Sequence, residues 1–405
     1  MDMHENDCRK TKAVGTDDDV PRWVIDPEDV RGLAQLASEA TLETTRLVEA
    51  VHAGVLDKVL PGSKHKGGRA GGLTGWIYRT IRQVMRLFGR GATRTIEGVE
   101  RAGRATGWAE EGETVARDRM VSVLNGIVGD HLAATGNPLA RSFSLRTLGG
   151  QPVTEATELA ETVVVFVHGL CCSDRDWRRK VSKSGHVSAL AGVVGGLPVF
   201  ARYNTGTAIR ENGQHLSRHL DALMSRTNGP NRIVLVTHSM GGLVARSAFQ
   251  HAAETSARWT ESVTETIYLG TPHLGAPLER AGVWVEEQLR QTLFTMPLAN
   301  VGAIRSRGIK DLRDGVAALR DPLPDDKDHR LAVAPPDSRI LYIGSTIAGS
   351  SPIWHSVGDG LVPLDSALNA PDTTPATRKV FERVGHMKLI RAPTVTDVIT
   401  RFVRG

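Results

Sequence analysis

The second part of the sequence alternates short apolar segments with longer amphipathic ones, and this alternation restricts the fold more than any other feature. The apolar segments are rich in β-branched residues and lie at 143–148, 162–167, 198–203, 232–236, 266–269 and 339–343. Helical spacing appears between them, as at 211–225 and 241–253. Apolar strands that alternate with helices predict an α/β fold whose mostly parallel sheet is covered on both faces. In such sheets the reactive groups lie at the carboxyl ends of the strands.

The composition supports a folded chain with a large core. The 405 residues are 40% hydrophobic and 23% charged, which excludes a wholly disordered or low-complexity protein. The net charge of +5 is too small to indicate nucleic-acid binding. Three cysteines cannot build a disulfide framework, and their spacing does not fit zinc. Since the first twenty residues also contain no apolar signal segment, we expect a cytoplasmic protein that is soluble or at most peripheral to a membrane.

The first 142 residues differ in character from the rest, and they predict helices. We expect a disordered tail over 1–25, a helical region over 26–142 and an α/β domain over 143–405. Apolar residues at spacings of three and four indicate three helices in the helical region. These helices span about 26–60, 73–90 and 115–132.

The first two of these helices differ in the sign of their charge. Residues 26–60 carry a net charge of −4, and residues 61–107 carry a net charge of +8. Paired antiparallel with their apolar faces inward, the two helices would form a hairpin on the protein itself. Alternatively, the arginines beside the apolar stripe of 73–90 would contact an anionic membrane surface. These arginines are Arg79, Arg82, Arg86 and Arg90.

A serine stands where a predicted buried strand turns directly into a helix. Residues 233–246 read IVLVTHSMGGLVAR. This pattern is typical of a nucleophile elbow, in which a sharp turn lifts the serine Oγ above the sheet. The strained turn requires small neighbours, which Gly241 and Gly242 provide, whereas Thr237 departs from the first glycine of G-x-S-x-G. We predict that Ser239 is a nucleophile.

If the serine cleaves an ester, the site also requires hydrogen-bond donors for the oxyanion that forms on the substrate. A buried strand over 162–167 runs directly into a His-Gly-Leu turn. The backbone N–H groups of Leu170 and Met240 are the predicted oxyanion-hole donors. We interpret His168 as a structural histidine that shapes this turn, and His238 as a structural histidine that points away from the nucleophile.

The acid and the base follow from the chain order of this type of site, which is serine, then aspartate or glutamate, then histidine. Asp359 lies in a Gly-Asp-Gly loop after a predicted strand, and His386 is the only histidine that follows it. Asp365 is the second candidate for the acid, although its Pro-Leu-Asp-Ser setting is typical of a helix N-cap. In the predicted mechanism, His386 takes the Ser239 proton, Asp359 fixes the imidazole tautomer, and water hydrolyses an acyl-enzyme.

Residues from about 143 to 405 resemble an α/β hydrolase of the lipase type. The motifs that carry the resemblance are His168-Gly-Leu, His238-Ser-Met-Gly-Gly, Leu269-Gly-Thr-Pro-His-Leu-Gly-Ala-Pro277, Asp359-Gly-Leu-Val-Pro and Gly385-His386. They are similar to bacterial triacylglycerol lipases and to GPI inositol-deacylase-like lipases. The resemblance implies a lipid-like or hydrophobic ester substrate and no organic cofactor. Lys388 stands where some secreted lipases carry a calcium-ligating aspartate, which argues against a calcium site of that kind.

Three further stretches resemble bacterial hydrolases of unassigned substrate. They are residues 124–139, Tyr203-Asn-Thr-Gly and Glu211-Asn-Gly. The apolar residues of 276–335 fit two interpretations equally well. The segment is either a lid over an acyl pocket or an inserted helical subdomain. The vicinal Cys171 and Cys172 are either packed free thiols or a redox-sensitive pair.

We therefore predict a serine hydrolase that cleaves carboxylic esters with a hydrophobic acyl part. Its partners would be small-molecule or lipid esters, with no nucleic acid. The same Ser-His-Asp triad would also serve thioester cleavage or acyl transfer. A non-enzymatic alternative is a membrane-surface or partner-binding protein that acts through 73–90 and carries a vestigial hydrolase site.

Overall fold

The described chain forms a seven-stranded sheet. The structure is a computed structural model that describes residues 29, 31–36, 39, 115–178, 185–226, 229–277, 280, 284, 306–315, 338–369 and 375–405. The strands are β1 (Ser144–Arg146), β2 (Thr162–Val167), β3 (Leu197–Arg202), β4 (Arg232–His238), β5 (Val263–Leu269), β6 (Arg339–Thr346) and β7 (Ala376–Glu382). Their order is β1-β3-β2-β4-β5-β6-β7. Strand β1 is antiparallel to β3 and the other neighbouring pairs are parallel, which confirms the predicted sheet.

Helices connect most of these strands and cover the sheet. They are α1 (Val115–Ala134), α2 (Asp174–Arg178), α3 (His186–Val194), α4 (Ile209–Met224), α5 (Met240–Thr255), α6 (Arg307–Asp314), α7 (Pro352–Val357), α8 (Leu364–Leu368) and α9 (Pro393–Arg404). Short 3₁₀ turns lie at Arg258–Ser262 and His386–Lys388. In this described part of the chain, none of the helices is long and apolar enough to cross a membrane.

Strand β2 shows how the sequence fills both faces of the sheet. All six of its residues are buried. Val163, Val165 and Val167 pack into one core cluster with side chains of α1, α4 and α5. Val164 and Phe166 pack into the opposite cluster with side chains of α3 and α9. Successive strand residues point to opposite faces, so an unbroken apolar run stabilises both layers. Each fully buried side chain of this kind contributes roughly 1.5–3 kcal/mol.

Helix α1 packs on the same core as the sheet, which confirms the helix predicted over 115–132. Its buried apolar side chains include Met120, Leu124, Val128 and Leu132. In the helix predicted over 26–60, the described residues 29, 31–36 and 39 are helical. Leu36 belongs to the same core cluster as α1.

Several expectations for the N-terminal part fall on residues outside the described ranges. These are the tail over 1–25, the helix over 73–90 with its arginines, and the hairpin of oppositely charged helices. The division into a helical region and an α/β-hydrolase domain stays a prediction.

Strand β7 was not predicted from the sequence. It lies at the edge of the sheet beside β6, in parallel register from Ile340 with Ala376 to Thr346 with Glu382. Its sequence, ATRKVFE, has no apolar run, and most of its residues are exposed. Only Ala376 and Phe381 pack, partly buried, against the core. Such an edge strand gives no periodic apolar signal, so the sequence pattern could not reveal it.

The described part of 276–335 is anchored to the domain. Ser306 caps α6 by accepting the Ile309 N–H, and its hydroxyl donates to the Gly126 carbonyl of α1 at 2.7 Å. Ile309 and Leu312 are buried in the main core. These contacts favour a packed helical insertion over a lid for residues 306–315.

Candidate functional site

Ser239 occupies a strained turn between β4 and α5. Its φ of 54° and ψ of −128° lie in a region that non-glycine residues rarely adopt. Two hydrogen bonds hold the turn: Ser239 N–H donates to the Leu269 carbonyl at 2.9 Å, and Gly242 N–H donates to the Ser239 carbonyl at 3.0 Å. Strain that the surrounding structure maintains in this way is concentrated at functional sites. The turn has the form of the predicted nucleophile elbow.

The neighbours of Ser239 explain the small residues of the motif. A Cβ on Gly241 would lie 2.5 Å from the His168 carbonyl oxygen, and one on Gly242 would lie 2.0 Å from the Thr271 Oγ1. Thr237, which replaces the usual first glycine, is buried and donates its hydroxyl to the Ile267 carbonyl at 2.9 Å. The turn accommodates this threonine because a carbonyl of the adjacent strand β5 accepts a hydrogen bond from its hydroxyl.

Asp359 and His386 form a buried hydrogen-bonded pair. The His386 Nδ1 lies 2.7 Å from the Asp359 Oδ2. The other carboxylate oxygen accepts the N–H groups of Leu361 and Val362 at 3.0 and 2.8 Å. His386 N–H also donates to the Asp359 carbonyl at 3.0 Å. With the Nδ1 proton directed at the carboxylate, the neutral ring leaves Nε2 free to accept a proton.

Gly270 shows how closely this pair approaches the elbow. It follows Leu269, whose carbonyl accepts the Ser239 N–H, and has a φ of +57°. A Cβ on Gly270 would lie 2.9 Å from the Asp359 Oδ2 and 3.4 Å from the His386 Nδ1. The His386 ring also lies 4.6 Å, between centroids, from the ring of His238, which directly precedes Ser239. The loops after β4, β5, β6 and β7 thus meet at one edge of the sheet.

The second candidate acid lies elsewhere in this region. Asp365 is exposed in the first turn of α8, where its carboxylate suits the positive end of the helix. The geometry therefore favours Asp359 as the partner of His386.

The turn after β2 passes directly against Ser239. A Cβ on Gly169 would lie 2.9 Å from the Ser239 Cβ. The next residue, Leu170, and the first residue of α5, Met240, are both buried. Within the described ranges, neither backbone N–H donates a hydrogen bond to another protein group. Two N–H groups close to Ser239 are thus available for an oxyanion.

The two histidines beside the elbow are buried and support the loops around it. Tyr203 donates its hydroxyl to the His168 carbonyl at 2.5 Å, and the two rings stack with centroids 4.3 Å apart. His238 Nε2 lies 3.1 Å from the His386 carbonyl oxygen, so its ring faces the loop of His386. Burial lowers the pKa of His168 to about 4 and that of His238 well below 6.5. Neutral rings fit supporting roles better than proton transfer.

We expect the free energy of unfolding to decrease as the pH falls from about 6.5 towards 4. Burial lowers the pKa values of His168 and His186 to about 4. In the unfolded chain both rings titrate near 6.5, so acid protonates the unfolded state first and favours it. The loss is on the order of 3 kcal/mol for each ring. Urea unfolding midpoints between pH 7.5 and 4.5 would measure it.

His186 offers a control for this pH dependence. Its Nε2 lies 2.7 Å from the Leu389 carbonyl and its Nδ1 lies 2.7 Å from the Thr396 hydroxyl. His186→Gln removes one titrating group and retains a polar side chain. The variant should show a shallower pH dependence than the wild type. Identical slopes, or midpoints that do not change with pH, would contradict the prediction.

Cys171 and Cys172 are buried free thiols. Burial raises the pKa of Cys171 to about 12 and that of Cys172 well above its usual value. Since the thiolate is the reactive form, this environment favours packed thiols over a redox-sensitive pair. Across the described residues, no group of three or more His, Cys, Asp or Glu side chains could hold a metal ion.

Comparisons with known proteins agree with this fold. Residues 158–300 match the model of the family described as PGAP1-like alpha/beta domain. A search of curated protein sequences finds no significant match. The predicted α/β-hydrolase fold is confirmed by the family match together with the sheet order.

Several solved structures are similar at low identity. The mature lipase BlEst2 of Bacillus licheniformis is 20% identical, with a TM-score of 0.42, over 65% of this chain and 98% of that one. The esterase RhEst1 of Rhodococcus sp. ECU1013 is 14% identical, with a TM-score of 0.38, over 64% and 97% of the two chains. The naproxen esterase of Bacillus subtilis is 14% identical, with a TM-score of 0.34, over 60% and 83%.

Proposed function

We propose that this chain, which has the α/β-hydrolase fold, is a serine hydrolase that cleaves carboxylic esters. The observation that carries the proposal is that the strained elbow of Ser239 and the buried pair of Asp359 and His386 lie at the same edge of the sheet, on either side of Gly270. The available N–H groups of Leu170 and Met240 complete the requirements for acyl transfer to a serine.

In the proposed mechanism, His386 Nε2 takes the Ser239 proton while Oγ attacks the ester carbonyl carbon. The carbonyl oxygen becomes an oxyanion that accepts the N–H groups of Leu170 and Met240. His386 then gives its proton to the leaving alcohol, which leaves an acyl-enzyme. Water attacks this ester by the same steps, returning a carboxylic acid and free Ser239. Asp359 stabilises the imidazolium and keeps the Nδ1 proton in place throughout.

We also propose a hydrophobic acyl group. Large apolar side chains are exposed on the segments that follow β5 and β6, which lead from the same sheet edge as the site. Leu274 is 54% exposed, Ile347 45% and Ile353 67%. An apolar acyl chain that covers such side chains would gain about 0.8 kcal/mol for each buried CH₂.

A series of p-nitrophenyl esters with acyl chains from acetyl to palmitoyl tests this function. We expect hydrolysis by the wild type, with kcat/KM increasing with chain length over the first several carbons. An optimum at acetyl would contradict the hydrophobic acyl group. Absence of hydrolysis for every ester, with turnover of an acyl thioester or transfer to an added alcohol, would replace ester hydrolysis by one of those reactions. Cytoplasmic location and membrane contact through 73–90 stay predictions.

A further inference from the structure

Helix α1 lies directly against the loop that carries one of the proposed oxyanion donors. We call residues 169–173 the oxyanion loop. A Cβ on Gly126 of α1 would lie 2.2 Å from the Cys171 Sγ and 3.1 Å from the Cys171 backbone nitrogen. The Cys171 Sγ also lies 3.9 Å from the Val123 carbonyl, one turn earlier on α1. The helix and the loop are thus so close at Gly126 that the position has no room for a side chain.

The oxyanion loop has a conformation that needs support from outside. Cys171 has a φ of 55°, in the left-handed region that β-carbon-bearing residues rarely adopt. Its N–H donates to the Thr205 Oγ1 at 3.2 Å. The Leu170 N–H lies on the Gly169–Leu170 peptide, one residue before Cys171, so its direction depends indirectly on how this strained residue is held.

A buried carboxylate of α1 holds the other end of the oxyanion loop. Asp118 accepts the Ser173 hydroxyl on Oδ2 at 2.6 Å and the Arg141 guanidinium on Oδ1 at 2.6 Å. Arg202 of β3 lies 3.4 Å from the same Oδ1 and also pairs with Asp174, the first residue of α2. Each of these charges is buried among partners of opposite sign, and such networks fix geometry strongly.

Three asparagines hold helix α1 in place. They belong to the three stretches that resemble bacterial hydrolases of unassigned substrate. Asn204 donates its amide to the Gly129 carbonyl at 2.8 Å. Asn125 donates to the Leu139 carbonyl at 2.7 Å and accepts the Arg141 N–H at 2.9 Å. Asn212 donates to the Asn204 carbonyl at 2.9 Å. These stretches, far apart in sequence, therefore fix the position of α1 on the hydrolase sheet.

We propose that α1 is a positioning element for catalysis, which sets the direction of the Leu170 N–H through its contacts with Cys171 and Ser173. The inference rests on the proposed function, because it assigns the oxyanion loop a part in ester cleavage. It makes a helix from the N-terminal region part of the catalytic unit. Gly126 and Asp118 act through the loop and do not contact the substrate.

A rescue experiment tests this proposal. Gly126→Ala places a methyl group against the Cys171 Sγ, and Cys171→Ala in the same chain makes room for it. We expect Gly126→Ala to lower kcat at least tenfold with little change in KM, since losing a whole oxyanion donor costs about 10²–10³. The affinity for a trifluoromethyl ketone, whose serine adduct carries the oxyanion, should fall by the same factor. The double variant should recover most of both losses.

Leu132→Ala is the matched control. Leu132 is fully buried on α1, six residues after Gly126 and beyond the kink at Val128. It should lower the unfolding temperature without changing kcat or ketone affinity. If Gly126→Ala does not fold, Ser173→Ala replaces it, with loss of kcat and faster amide exchange in residues 168–173 as the expected results.

The outcomes separate the two proposals. A folded Gly126→Ala variant with wild-type kcat, ketone affinity and amide exchange would overturn the role of α1 alone. The same conclusion would follow if Cys171→Ala failed to restore the double variant. A wild-type protein that neither hydrolyses esters nor binds the ketone would overturn the proposed function, and with it the role of α1.

Discussion

Ser239→Ala is expected to lower kcat/KM for a p-nitrophenyl ester by about 10⁴–10⁶, because loss of a serine nucleophile removes the covalent route and leaves only binding and oxyanion stabilisation. The protein should remain folded. The replacement removes only an oxygen atom, and the hydrogen bonds of the turn involve the backbone of Ser239. Initial rates of purified wild type and variant, with unfolding temperatures measured in parallel, give the comparison.

Ser247→Ala is the control for this result. Ser247 lies on α5, in the helix that begins after Ser239, and its hydroxyl donates to the Arg210 carbonyl at 3.3 Å. The same chemical change there should leave kcat/KM within a small factor of the wild-type value. Similar activities of Ser239→Ala and wild type would show that another group attacks the substrate.

Asp359→Asn should lower kcat by about 10⁴ while the fold is retained. The N–H groups of Leu361 and Val362 face one carboxylate oxygen and would select the amide oxygen of an asparagine. The amide NH₂ would then face the His386 Nδ1 and donate to it. The neutral ring would consequently carry its proton on Nε2, where it cannot accept the Ser239 proton.

Asp365→Asn is the matched test of the alternative acid. The exposed carboxylate of Asp365 lies on α8, so this variant should retain wild-type kcat. A large loss in Asp365→Asn together with a small loss in Asp359→Asn would reverse the assignment. Comparable losses of kcat in both variants would indicate that each substitution disturbs the same segment of the chain. The loss of kcat would then not identify Asp359 as the acid.

The elbow could be predicted because it rests on a short local pattern, and the Asp-His pair because the order of residue types along the chain leaves few candidates. A strand followed by His-Ser-Met-Gly-Gly determines a turn, and the order Ser239, Asp359, His386 along the chain restricts the choice of acid and base. The departure at Thr237 was visible in the sequence. Its accommodation depends on the Ile267 carbonyl of the neighbouring strand, a contact that local sequence does not encode.

The support of the oxyanion loop could not be predicted, for two physical reasons. Its contacts join residues far apart in the chain, such as Gly126 with Cys171. Charged residues such as Asp118 and Arg202 usually lie on the surface of a protein. They can be recognised as part of this support only when their burial is known. Strand β7 could not be predicted because most of its residues are exposed and give no apolar pattern.

Reaction of the wild-type protein with a fluorophosphonate probe, followed by peptide mapping, tests the central claim most directly. The probe transfers its phosphonyl group to an activated serine Oγ and releases fluoride, so it requires no knowledge of the natural ester. We predict stoichiometric modification at Ser239 in the folded protein, and none after heat denaturation or in His386→Ala. Folded wild-type protein that stays unmodified at Ser239, or that is modified at another serine, would contradict the account.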